Sequence, residues 1–108
     1  MRSGDVVVLT FPFSDLSGSK LRPGLVLADV GRDDYIACQI TSNPESDPLA
    51  IELTEASYSA GGLRTTSYVR PGKLFTAHRS IIAKRVARVT DAVKQRVREA
   101  VIAVIRRD

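Results

Sequence analysis

Only one stretch of this chain, at its C-terminal end, carries helical periodicity; turn formers cut everything before it into short β-prone runs. After Thr90-Asp91, the residues Val93, Val97, Ala100, Val101, Val104 and Ile105 recur three or four apart and share one helix face. Thr90 suits the N-cap, and Asp91 suits the positive end of the helix dipole. Lys94, Arg96, Arg98 and Arg106 fall elsewhere on the wheel, so the predicted helix is amphipathic and packs on a neighbour. Upstream, residues 6–11, 24–28, 35–41, 49–53, 65–70, 73–76 and 85–89 read as strands, rich in β-branched and apolar residues. The first of these is apolar throughout, which predicts burial on both faces. Pro12, Gly31, Ser42-Asn43-Pro44, Gly61-Gly62 and Pro71-Gly72 interrupt the runs. Residues 13–21 and 43–48 read as exposed loops, 29–34 and 57–63 as turns, and 77–84 as a short helical turn. The expected fold is mainly β with a C-terminal helix: one domain over residues 1–108, a small antiparallel barrel closed by that helix.

A chain of 108 residues, 44% of them apolar, fills a modest core. A domain of this size buries only about two-thirds of the surface its unfolded chain exposes, and dimerisation is one way to bury more. The charge is unevenly spread. Residues 1–55 hold four Lys/Arg against nine Asp/Glu, and residues 56–108 hold twelve against three, for a net +4. The basic second half suits a polyanion, an acidic protein segment, or simply water around a helix face. Cys38, the single cysteine, lies in an apolar run and reads as a buried thiol in a reducing compartment. No apolar stretch approaches the roughly 20 residues of a membrane span, and the N-terminus lacks a signal-peptide layout. A cytoplasmic protein with no membrane partner is expected.

Few catalytic groups are available. His78 is the only histidine, and it reads as a surface or packing residue. There is no Cys/His cluster, no phosphate loop and no Gly-x-Ser-x-Gly elbow, so no metal site and no cofactor are expected. What remains is a set of polar residues at strand ends. Ser17, Ser19 and Lys20 lie in the first loop, and Arg22 stands just before the second strand. Thr41 and Ser42 end the third, while Arg70 and Lys73 flank Pro71-Gly72. An arginine fork matches two phosphate oxygens, and a hydroxyl can hold a phosphate or polarise a neighbouring hydroxyl. Such a set suits RNA transesterification, in which a 2′-hydroxyl attacks the adjacent phosphorus and the protein stabilises the charge that develops. Taken alone, Arg22 reads first as a surface ion-pair partner at a strand start, and Thr41 as an ordinary strand-end hydroxyl. Phe13, Tyr58 and Tyr68 offer rings for base stacking or for packing.

Gly4-Asp5-Val6-Val7, then a Ser/Gly loop, then Arg22-Pro23-Gly24-Leu25-Val26-Leu27 resembles the MazF/PemK toxin family. Ile40-Thr41-Ser42 matches that family's strand ending in a Thr/Ser pair. The likeness weakens over 45–64 and returns at Tyr68-Val69-Arg70-Pro71-Gly72-Lys73-Leu74-Phe75-Thr76 and in the terminal helix. The resemblance implies an SH3-like small β-barrel and a homodimer. It implies metal-independent cleavage of single-stranded RNA at short sequences, leaving a 2′,3′-cyclic phosphate and a 5′-hydroxyl. It also implies a cognate antitoxin whose acidic C-terminal segment covers the RNA groove, with operator DNA reached only through that complex. By position, Arg22 and Thr41 would be catalytic, and Ser17, Ser19 and Lys20 would belong to the loop lining the groove. Ser42, Arg70 and Lys73 would contact substrate. Two departures stand out. PemK-type members place an acidic general base two residues after the arginine matched by Arg70, where this chain has Gly72. The stretch 16–21 also lacks the glutamate common after Gly-Ser. Alternative readings are therefore a non-catalytic, CcdB-like toxin that binds gyrase, and an RNA-binding module that does not cut.

Overall fold

The computed structural model describes residues 1–11 and 20–107. Among these, seven strands and one helix follow in order: β1 (Asp5–Thr10), β2 (Leu21–Gly31), β3 (Asp34–Thr41), β4 (Ile51–Leu53), β5 (Tyr58–Gly61), β6 (Ser67–His78), β7 (Ile82–Val89) and α1 (Asp91–Ile105). They form one sheet in the order β4-β6-β3-β2-β1-β7-β5, with antiparallel pairings throughout. The sheet curls into a half-barrel with the helix at its C-terminal end, as the strand pattern predicts.

The curl explains the apolar run of β1, because both sheet faces are covered there. Val6 packs inside with Leu25, Cys38, Ile40, Leu53 and Val69, against Val97 and Val101 of α1. Val7 and Leu9 face the other way and join Phe11, Val26, Tyr35 and Ala77 in a second cluster. Fully burying a Val or Leu contributes about 1.5–3 kcal/mol, so these two clusters dominate the fold's stability. The helix begins as predicted: the Thr90 hydroxyl accepts from the Val93 amide at 3.3 Å. Its expected stripe is too long, however. Burial stops at Val101, and Ile105 is 69% exposed, because the buried contact ends one turn before the helix does.

Several strand boundaries differ from the expectation, each for a local reason. β2 extends at both ends, so Arg22 lies within the strand rather than before it. Its hairpin to β3 closes through only two residues, Arg32 and Asp33, both at positive φ (56° and 62°). That is the conformation whose twist suits a tight antiparallel turn, adopted here without glycine. Residues 57–63 contain a strand, β5, paired to β7. Gly61 makes that pairing feasible: its φ is +63°, and a Cβ there would sit 2.3 Å from the Val86 carbonyl oxygen. The expected pair of strands around Pro71-Gly72 is one strand, β6, with a break in register. Cys38 faces Leu74 while the next residue, Gln39, faces Arg70. Proline cannot donate to a ladder, and a bulge leaves it no ladder bond to make.

Gly4-Asp5 turns out to be a structural corner. The Gly4 amide donates to the Val26 carbonyl at 2.8 Å, and the Gly4 carbonyl accepts from the Val89 amide at 2.9 Å. The Asp5 carboxylate, 2% exposed, accepts from the Arg2 amide at 3.0 Å and from Arg88 Nη1 at 2.8 Å. Arg85 stands 3.7 Å away. This network joins the N-terminus to β7.

Candidate active site

The neighbouring ends of β2 and β3 bring the two principal candidates together. Gly24 of β2 faces Gln39 of β3. That pair is the last of their ladder toward this end of the sheet, and two residues beyond it on each strand stand Arg22 and Thr41. On the flanking strands, Leu9 faces Arg22, Tyr68 faces Thr41, and Glu52 faces Tyr68. Directly opposed residues share one face with Cβ atoms about 5 Å apart. Arg22 therefore stands beside Leu9, and Thr41 shares a row with Tyr68 and Glu52.

Both residues line one cavity of about 380 Å³ at the end of β2 and β3. Lys20 and Ser42 line it as well, and Leu63, Arg64 and Thr65 of the β5–β6 connection close it with Ser67, the first residue of β6. The Ser67 hydroxyl donates to the Thr65 carbonyl at 2.8 Å, which holds that connection in shape. Lys20, Arg22 and Arg64 give the cavity a positive lining, and its described residues include no carboxylate and no imidazole. Arg64 is a groove residue that sequence reasoning missed. It sits beside Gly61-Gly62 in a segment without periodicity, and only the pairing of β5 with β7 carries it to the cavity.

Thr41 is held firmly. Its hydroxyl donates to the Asn43 carbonyl at 3.1 Å and accepts from the Asn43 amide at 3.1 Å. A hydroxyl has one proton and two lone pairs, so one lone pair remains for a ligand. Arg22 is exposed, and among the described residues no acidic group pairs with its guanidinium.

Arg70 and Lys73 are placed elsewhere. They line a neighbouring depression of about 320 Å³ with Asp47. Arg70 Nε donates to Asp47 Oδ2 at 2.8 Å, and Arg70 Nη1 reaches Gln39 Oε1 at 3.5 Å. The hydrogen bond from Arg70, helped by the Leu49 amide, holds the Asp47 carboxyl below its ordinary pKa. The acid in contact with Arg70 thus comes from the β3–β4 connection rather than from a position further along β6. Ser17, Ser19 and Phe13 lie outside the described residues.

The remaining reactive groups serve the scaffold. Cys38 is fully buried, and burial pushes its thiol up to about 12. His78 caps a short 3-10 turn, its Nδ1 accepting from the Ser80 amide at 3.1 Å. Tyr58 packs against the inner core, and its partial burial raises its pKa.

The model of PemK-like, MazF-like toxins of type II toxin–antitoxin systems matches residues 2–105. The chain belongs to this toxin family. MazF from Deinococcus radiodurans superposes with a TM-score of 0.76 at 22% identity, covering 97% of this chain and 96% of that one. Toxin MazF-mt6 from Mycobacterium tuberculosis gives a TM-score of 0.72 at 14% identity, covering 96% and 98%. A mycobacterial endoribonuclease solved with its cognate antitoxin gives 0.64 at 17% identity, covering 97% and 94%. At these identities the likeness to solved structures concerns the fold. A comparison with curated protein sequences finds no significant match. Among the described residues, no helix of this MazF-like chain is long and apolar enough to cross a membrane.

Proposed function

We propose that this toxin is an endoribonuclease that cuts single-stranded RNA by 2′-hydroxyl transesterification without a metal. The observation that carries this reading is the juxtaposition of Arg22 and Thr41 in one positively lined cavity. The guanidinium fork of Arg22 takes two phosphate oxygens and stabilises the charge that grows on phosphorus. Thr41 has its proton committed to Asn43, so its free lone pair accepts from the 2′-hydroxyl and orients that oxygen for in-line attack. The 2′-hydroxyl gives its proton to water as its oxygen bonds to phosphorus, the bond from phosphorus to the 5′-oxygen breaks and that oxygen takes a proton from water, and the products are a 2′,3′-cyclic phosphate and a 5′-hydroxyl. Lys20, Arg64 and Ser42 hold the flanking backbone, with Ser17 and Ser19 assigned to the same groove. The same cationic surface suits the acidic segment of a cognate antitoxin. A homodimer, a cytoplasmic location and contact with operator DNA only through the antitoxin complex belong to this reading.

The test is cleavage of a single-stranded RNA in EDTA by the purified protein, compared with Arg22→Ala. Metal-independent cutting that disappears in the variant supports the reading. A strict requirement for added metal overturns the mechanism.

A second reading has its own support. The cavity's described lining holds no carboxylate or imidazole to act as general base. Salt-sensitive RNA binding with no cutting would identify a binding module instead. Inhibition of gyrase supercoiling, with no effect on RNA, would identify a gyrase-directed toxin.

A further inference from the structure

One step inward from Arg22 and Thr41, the next row on the same sheet face runs Val7, Gly24, Gln39, Arg70. The break in β6 lies against this row, because Pro71, Gly72 and Lys73 are looped out of the ladder between the pairs Cys38–Leu74 and Gln39–Arg70. A bulge bends its strand and opens the surface beside it. The opened space is a hollow of about 390 Å³. Phe11 and Phe75 line it, with ring centroids 4.8 Å apart, together with Gln39, Gly72, Lys73 and Leu74. Aromatic walls beside a cationic groove fit a nucleobase, which stacks or packs through its apolar faces and is read at its polar edge.

Gln39 and Lys73 are the described lining residues with polar side chains; Lys73 offers a flexible point charge common to any nucleotide, whereas the Gln39 amide has a set direction. Its Oε1 faces Arg70 Nη1 at 3.5 Å, and Arg70 is held through Nε by Asp47 at 2.8 Å. A guanidinium only donates, so turning the amide over would set N–H against N–H. The Asp47–Arg70 pair therefore leaves the Nε2 end of Gln39, two donors, for a ligand. Gln39 lies two residues before Thr41 on one strand face, about 7 Å away, within reach of the nucleotide next to the one being cut.

We infer that this hollow is a nucleobase subsite and that Gln39 determines its specificity, donating from Nε2 to a carbonyl oxygen of the base. The inference rests on the RNA reading above. Uracil, cytosine and guanine carry a carbonyl and adenine does not, so adenine is disfavoured here. Arg70 acts as a positioning residue that orients Gln39.

The experiment uses the full chain with Arg22→Ala, to stop cleavage, and short homo-oligomers of uridylate, cytidylate and adenylate at one low salt concentration. Anisotropy gives each Kd, and circular dichroism confirms that each variant is folded. One hydrogen bond predicts adenylate binding about three- to tenfold weaker than uridylate. Adding Gln39→Met removes that penalty, and adding Gln39→Glu, an acceptor, shifts preference toward the amino-bearing adenylate and cytidylate. Intrinsic stacking of adenylate is common to every variant, so the change between variants is the readout. An unchanged order in all three proteins overturns the base subsite while leaving the RNA reading standing. No binding of any oligomer below about 1 mM overturns both.

Discussion

Replacing Asp5 with alanine tests the corner that joins the N-terminus to β7. The carboxylate is 2% exposed and makes its closest contact with Arg88 Nη1, at 2.8 Å. The Arg88 side chain is itself only 18% exposed, so Asp5→Ala leaves a largely buried guanidinium without its anion. Breaking a buried pair from one side costs about 3–5 kcal/mol. The Arg2 amide also loses its acceptor at 3.0 Å. Against a total stability of roughly 5–15 kcal/mol for a domain, the loss is a large share. At about 4–8 °C per kcal/mol, the melting temperature falls by at least about 12 °C. Scanning calorimetry or a urea titration of wild type and variant measures the effect. Adding Arg88→Met to Asp5→Ala recovers part of the loss, because the uncompensated charge goes with it. A single variant that loses under about 1 kcal/mol would refute the reasoning, as would a double variant no better than Asp5→Ala.

Four other outcomes are expected. Arg22→Lys keeps the charge but loses the planar fork, and Arg22→Ala loses both. Cleavage falls by at least about a hundredfold in the alanine variant and less in the lysine one, measured as single-turnover rates. With no imidazole or carboxylate in the described groove lining, the cleavage rate rises continuously between about pH 6 and 9. A flat profile over that range would mean that a carboxylate base already stands beside the 2′-hydroxyl. Gly61→Ala, at φ +63° with its Cβ 2.3 Å from the Val86 carbonyl oxygen, destabilises the fold by at least about 1–3 kcal/mol in chemical denaturation. The Asp47 carboxyl is depressed by Arg70, so its contribution to stability is complete above the ordinary carboxylate value of about 3.9 and is lost as pH falls through the lower, folded-state value. The melting-temperature gap between wild type and Asp47→Asn is therefore present near neutrality and closes in acid.

Much of the scaffold was legible before any coordinates because its signals are local. The Thr90 cap and the three-and-four spacing of Val93, Val97 and Val101 specify a helix regardless of what lies nearby. The unbroken apolar run of β1 requires cover on both sides, and the two core clusters supply it. Errors arose where tertiary pairing overrode local preference. β5 runs through Gly61, a residue that weakens strands, because β7 offers it a ladder. Pro71-Gly72 reads as a strand end, yet β6 continues past it, since a bulge accommodates a residue without an amide proton.

The site divides along the same line. Residue type and ordered landmarks single out Arg22 and Thr41, and Cys38 and His78 read as structural groups, in keeping with a buried thiol and an imidazole that caps a turn. Arg64 and the Asp47–Arg70–Gln39 chain carry no such signal, because their partners lie 23 and 31 residues apart or in connections without periodicity. Sequence alone determined the elements, the terminal helix and the chemical types on offer, since propensity, capping and periodicity act over a few residues. Only the folded sheet decided which arginine shares a cavity with Thr41 and which is occupied by a carboxylate. That choice depends on strand register, and register is set by how distant segments bury their apolar faces together.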